Sequence, residues 1–232
     1  MTDPELPPAI PAATVVLVRN AGDQLETLML RRNANVTFGG MWVFPGGRVE
    51  TSDGEGEAGA RRAAAREAAE EAGLVVDSEL LVPFAHWTPP PVAPKRFATW
   101  FFLAPAPAGV VSIDGGEIHD HVWATPTGAL ERHAEGEIEL APPTWVTLHM
   151  LSEAPNVESA LERARTDAIE YFSTRIAKGE DGELVAVWHG DAAYEGGELG
   201  AAGGRHRLAM IRGGWRYERV SSAAPPAGSR PG

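Results

Sequence analysis

Apolar runs rich in β-branched residues alternate with turn-forming breaks along most of this chain. ATVVLVRN (13–20) reads as a buried strand, and LETLMLRRN (25–33) as its antiparallel return after the turn AGDQ. MWVFPGG (41–47) is a short apolar strand stopped by Pro and Gly, and RVETSDGEGEAG (48–59) has turn composition. ARRAAAREAAEEA (60–72) predicts a helix by its Ala, Arg and Glu content, with Gly73 placed to end it. LLVPFAHWT, FATWFFLA and IHDHVWA predict three more strands. PTGALERHAEG and PPTWVTLHMLSEA open on prolines suited to a first helical turn, and NVESALERARTDAIEYF (156–172) begins at an N-cap residue, Asn156, and has helical apolar spacing. Near residue 173 strands return: ELVAVWHG, then RHRLAMIRGGWRYERV as a hairpin turning at Gly213 and Gly214. The expected organisation is a flexible arm (1–12), an α/β domain (13–155), a C-terminal helical and β appendage packed on it (156–220), and a disordered tail (221–232).

Composition narrows the class. The 232 residues are 44% hydrophobic, enough for one enlarged domain or a domain with appendages. A net charge of −12 argues against general nucleic-acid binding, which needs a basic footprint, but allows a small anionic ligand held through a cation. The absence of cysteine rules out disulfides and thiolate metal sites. With neither a leader pattern nor an apolar run near the ~20 residues of a membrane helix, a cytoplasmic protein without membrane partners is expected.

REAAEEAGL (66–74) sets Glu67, Glu70 and Glu71 on one helical face, with Ala65, Ala68, Ala69 and Ala72 roughly opposite. Like charges at these spacings cost ~0.2–0.5 kcal/mol per pair, and anions at a helix C-terminus roughly 0.3–1 kcal/mol each. Local rules broken together often mark a functional site. A hard divalent cation such as Mg²⁺, which prefers oxygen ligands, turns the repulsion into attraction, and Arg66 stands where it can hold a carboxylate in place.

The order strand, FPGG, loop and acidic helix resembles the Nudix hydrolase family, whose box is G-x5-E-x7-R-E-U-x-E-E-x-G-U with U bulky and apolar. REAAEEAGL matches the second half except for the small Ala68, and VFPGG matches the lead-in. The first half departs. Five residues after Gly47 comes Asp53, with twelve residues before Arg66 instead of seven; Glu57 leaves eight. Glu57 is the candidate for the first box glutamate, and a solvated acidic loop is expected for Glu50, Asp53 and Glu55. The resemblance covers about residues 13–150 and implies an α/β/α sandwich with a mixed central sheet. It also implies Mg²⁺ or Mn²⁺ held by Glu67, Glu71, Glu70 and the Gly46 carbonyl, with Arg66 in the catalytic set. The reaction implied is hydrolysis of a nucleoside diphosphate linked to a group X.

Family members often draw a further glutamate from a later loop. Glu117, six residues before Trp123, is expected as the base or an extra metal ligand, with Glu70 the alternative base. His119 and His121 flank the same loop, where strand alternation is the expected explanation. Lys95 and Arg96, or Arg31 and Arg32, are the options for meeting phosphates, and Trp87 or Phe101 for stacking on a base. FGGMWVFPGG, WTPPPVAPKRFATWFFLA, APPTW and the widened box resemble a Nudix subgroup that includes peroxisomal coenzyme A diphosphatases. That favours coenzyme A or acyl-CoA as substrate, although the chain ends SRPG and carries no Ser-Lys-Leu address. ADP-ribose and NADH are alternatives. So is a binding or sensor module without turnover, against which the intact acidic set argues. The C-terminal segment is expected to be a structural appendage first, with a substrate cover or homodimer surface as the other roles.

Overall fold

A computed structural model of the chain describes residues 9–34, 39–93, 95–179 and 181–221. The chain divides into two compact units, 1–172 and 173–232.

The first unit opens with the expected hairpin, β1 (Ile10–Ala21) and β2 (Gln24–Arg32), antiparallel across the turn at Gly22. β1 starts at Ile10, so the end of the expected arm belongs to the sheet. Residues 1–8 and 222–232, where the rest of the arm and nearly all of the tail were expected, lie outside the described residues. The strand anticipated over 41–47 is two short pieces, β3 (Trp42–Val43) on β2 and β4 (Gly46–Arg48) on β1. Pro45 between them has no N–H to continue a ladder.

A 3₁₀ turn at Thr51–Asp53 leads into α1 (Gly56–Ala72), which begins earlier than its composition suggested. β5 (Val82–Thr88), β6 (Phe97–Pro105) and β7 (Ile118–Ala124) follow. Next come α2 (Pro126–Ala134), α3 (Pro142–Ser152) and α4 (Val157–Thr166). Thr125 and Asn156 cap α2 and α4 by accepting the Gly128 and Ser159 amides at 3.1 and 2.9 Å. α4 stops at Thr166, short of the expected helix to 172, and β8 (Glu170–Ser173) joins the sheet beside β5. Phe172 accounts for the switch: it is fully buried, its ring stacked 3.7 Å from Trp87 on β5.

The sheet runs β3-β2-β1-β6-β5-β8, with β4 also on β1 and β7 on β2. β1 and β6 are parallel from Ile10↔Phe97 to Val18↔Pro105, while their other partners are antiparallel, which gives the mixed sheet. Val15 and Leu17 of β1, Leu28 and Leu30 of β2, and Phe102 and Ala104 of β6 form a core with Ala60, Ala63, Ala64, Ala68 and Ala72 of α1. Their neighbours Val16, Val18, Met29, Phe101 and Leu103 alternate to the opposite face and are buried too. Both faces are therefore covered, as a sandwich requires.

The second unit is an antiparallel sheet in the order β12-β11-β10-β9, comprising β9 (Arg175–Lys178), β10 (Leu184–Val187), β11 (Arg205–Met210) and β12 (Arg216–Val220). The β11–β12 hairpin turns through Gly213 and Gly214, both at positive φ, as the sequence predicts. Among the described residues no helix is long and apolar enough to cross a membrane.

Candidate metal and diphosphate site

α1 ends as Gly73 adopts the left-handed conformation (φ +66°), its N–H reaching the Ala68 and Ala69 carbonyls. The three glutamates of its last two turns do not share one environment. Side-chain exposure falls from 59% at Glu70 to 15% at Glu67 and 5% at Glu71. The expected division into acid and alanine faces is corrected accordingly. Ala69 is exposed, and Glu71 lies within the buried arc beside Ala68 and Ala72.

Arg66 is the hub. It donates to Asp53 Oδ2 at 2.9 Å, Glu67 Oε1 at 2.8 Å, Glu70 Oε2 at 3.0 Å and the Arg48 carbonyl at 3.0 Å. Asp53 is buried and also accepts the Glu50 N–H at 2.9 Å. Burial opposes its charge, but the bonds from Arg66 and Glu50 hold the Asp53 carboxyl below the usual range. Asp53 is thus no solvated loop acid. It stands at the G-x5 position and meets Arg66 despite the longer loop. Glu57 instead pairs with Arg61 at 2.8 Å, one turn along α1. Counting residues missed this because the added segment is wound into the first turn of α1, which lengthens the chain between Asp53 and Arg66 without separating them. The signal available was the G-x5 spacing itself.

The glycine pair has a steric reason. A Cβ on Gly47 would lie 2.2 Å from Glu67 Oε1, and one on Gly46 2.5 Å from the Ala13 carbonyl oxygen. Close approach lets the Gly46 N–H donate to Glu71 Oε2 at 2.9 Å. Glu71 Oε1 is buried and accepts no hydrogen bond; Arg32 Nη1 is 3.9 Å away. Burial pushes the Glu71 carboxyl up to about 7, against the Gly46 amide and Arg32, which favour the charge. Burial likewise raises Glu67 in spite of Arg66.

Arg32 also forms a close ion pair with Glu117, from the loop before β7. The expected base is therefore brought beside the acidic helix. Arg31 is exposed, and adjacent strand residues point to opposite sides, so Arg32 rather than Arg31 is the β2 cation at this site. Lys95 and Arg96 lie just before β6. The first residue of β6, Phe97, has its ring 5.7 Å from the Arg48 guanidinium. Trp87 and Phe101 are core residues, 4% and 5% exposed, and offer no open stacking surface. His119 is exposed on β7 and His121 half-buried.

Among the described residues, no three acids or histidines converge as a closed metal cage. The donor set nonetheless fits Mg²⁺ or Mn²⁺. These ions take few carboxylates and complete their shells with water and phosphate. Glu71 Oε1 is a buried carboxyl oxygen with no donor.

Residues 9–164 match the NUDIX domain family. No curated protein matches the chain. Among solved structures, a Nudix hydrolase from Alicyclobacillus acidocaldarius is 25% identical, covering 70% of this chain and 98% of its own, with a TM-score of 0.61. The Nudix domain of Shewanella oneidensis NrtR, crystallised with ADP-ribose, is 20% identical over 69% of this chain and 92% of its own, with a TM-score of 0.50, a likeness of fold. Nudix hydrolases generally use divalent ions such as Mg²⁺ or Mn²⁺ and act on nucleoside diphosphate derivatives. The family match spans more than half of the chain and contains the whole acid–arginine–glycine network, so this protein belongs to the Nudix family and is a hydrolase of the pyrophosphatase type.

Proposed function

We propose that the protein hydrolyses the diphosphate of a nucleoside diphosphate linked to X, with coenzyme A or an acyl-CoA as the favoured substrate. The observation that carries the catalytic reading is Glu71 Oε1, a buried carboxylate oxygen without a donor beside the Gly46 backbone. Glu67, Glu70, Glu71 and the Gly46 carbonyl would hold the divalent ion, which when bound supplies charge neutralisation at the diphosphate oxygens. Arg66 orients Glu67 and Glu70 while Asp53 fixes Arg66 from behind. Glu117 accepts the proton of the attacking water, with Glu70 the alternative base. Of the expected pair Arg31 and Arg32, Arg32 is the candidate for phosphate contact, with Lys95 and Arg96 the secondary ones.

The coenzyme A preference rests on sequence likeness in FGGMWVFPGG, WTPPPVAPKRFATWFFLA and APPTW. ADP-ribose and NADH are the alternative substrates. Mass-spectrometric product identification on the three compounds with Mg²⁺ tests the proposal. Phosphopantetheine and 3′,5′-ADP are expected from coenzyme A. Cleavage of ADP-ribose or NADH alone would reassign X, and binding without turnover on a broad diphosphate panel would make the protein a sensor. Glu117→Gln is expected to lower kcat by ~10²–10⁴-fold; a loss below about tenfold shifts the base to Glu70.

A further inference from the structure

Glu117 projects from a loop, its side chain 46% exposed, a poor platform for a group that must meet a water at a fixed angle. Yet the backbone around it is tied on both sides. Asp114 accepts the Glu117 N–H at 2.8 Å and the Ile118 N–H at 3.0 Å, one on each carboxylate oxygen. From the end of β2, the Asn33 N–H donates to the Glu117 carbonyl at 2.8 Å and Asn33 Nδ2 to the Gly116 carbonyl at 3.2 Å. Arg32 then grips the carboxylate itself while keeping Nη1 3.9 Å from Glu71.

We propose that Arg32, Asn33 and Asp114 are positioning residues that clamp the 114–117 loop and set Glu117 against the acidic helix. The inference rests on the base role of Glu117. Asp114 is near enough for its charge to act on Glu71, but both its oxygens are committed to loop amides, so it serves the loop. The contacts divide the work: Arg32 holds the side chain, Asn33 holds the backbone, and Asp114 closes the turn from within.

The test uses the full chain with Asp114→Asn, whose amide nitrogen cannot accept an N–H, and Asn33→Ala, which does not alter the charge near Glu71. Each is expected to lower kcat, by up to ~10²-fold, with KM within about twofold. In metal-free protein, amide hydrogen exchange at Glu117 and Ile118 is expected to quicken. In a Glu117→Gln background, neither substitution should slow turnover further, because residues acting through one group are not additive. Losses that add in full to Glu117→Gln would overturn the clamp, as would quickened exchange with kcat intact. Near-normal turnover of Glu117→Gln by itself removes the base assignment and the clamp's catalytic purpose together. That result is distinct from a slow Glu117→Gln whose Asp114 and Asn33 variants are fast, which removes the clamp alone.

Discussion

Glu71 of the first unit and Asp191 of the second are both buried carboxylates, 4% and 6% exposed, with an arginine nearby. Asp191 accepts four bonds: the Ala193 and His206 amides at 2.8 and 2.9 Å, and Arg207 Nε and Nη2, each at 2.7 Å. Arg207 in turn donates to the Leu199 carbonyl at 2.8 Å. Burial works against the Asp191 charge, but Arg207 and the two amides hold its carboxyl below the usual range. Glu71 has one amide and an arginine too distant to bond, and burial raises it. A buried acid that serves only the fold is fully satisfied by its own chain. Glu71, at comparable burial, is left with one oxygen that no donor of the chain meets, the oxygen that the proposed divalent ion would use.

The largest expected effect is on Glu71. Glu71→Gln should abolish Mg²⁺-dependent turnover while the metal-free protein keeps or gains stability, measured by steady-state kinetics and denaturant unfolding in EDTA. Near-normal turnover in the folded variant would break the contrast. Asp191→Ala should do the reverse, costing ~3–5 kcal/mol by stranding Arg207 and leaving turnover per folded molecule unchanged.

Acidity separates the two without mutation. Glu71 has its folded value raised, from 4.5 to about 7. Its stabilising contribution is therefore full below the unfolded value and is lost as pH rises through 7. The metal-free protein should gain on the order of 1–3 kcal/mol between pH 8 and pH 5, and Glu71→Gln should flatten that slope. Asp191 is depressed, so its contribution is present above the unfolded value of 3.8 and lost only as pH falls below it; Asp191→Ala should leave the pH 5–8 slope in place. The smallest effect separates the loop acids. Asp53→Asn should reduce turnover by roughly 10–100-fold through misplaced Arg66, whereas Glu57→Gln should change it less than about twofold. Equal effects would return Glu57 to the box.

Local features were legible in advance. The α1 C-terminus followed from Gly73, and the hairpins from the AGDQ turn and the Gly213–Gly214 pair, because each is set by a few neighbouring residues. The end of α4 was misread because Tyr171 and Phe172 continue a helical pattern, while Trp87, far away in sequence, draws Phe172 into the sheet. β9 was missed because its exposed RIAK carries no strong strand pattern.

By itself, the sequence specified an acidic helix in the wrong electrostatic place and the glycine pair before it, and, through their likeness to the Nudix box, the hydrolase family. Tertiary structure alone decided which acids the helix buries, which loop acid meets Arg66, and which of two adjacent arginines reaches Glu117. Those choices depend on burial and on contacts between residues distant in the chain, where a shift of one strand position or one helical turn reverses the answer.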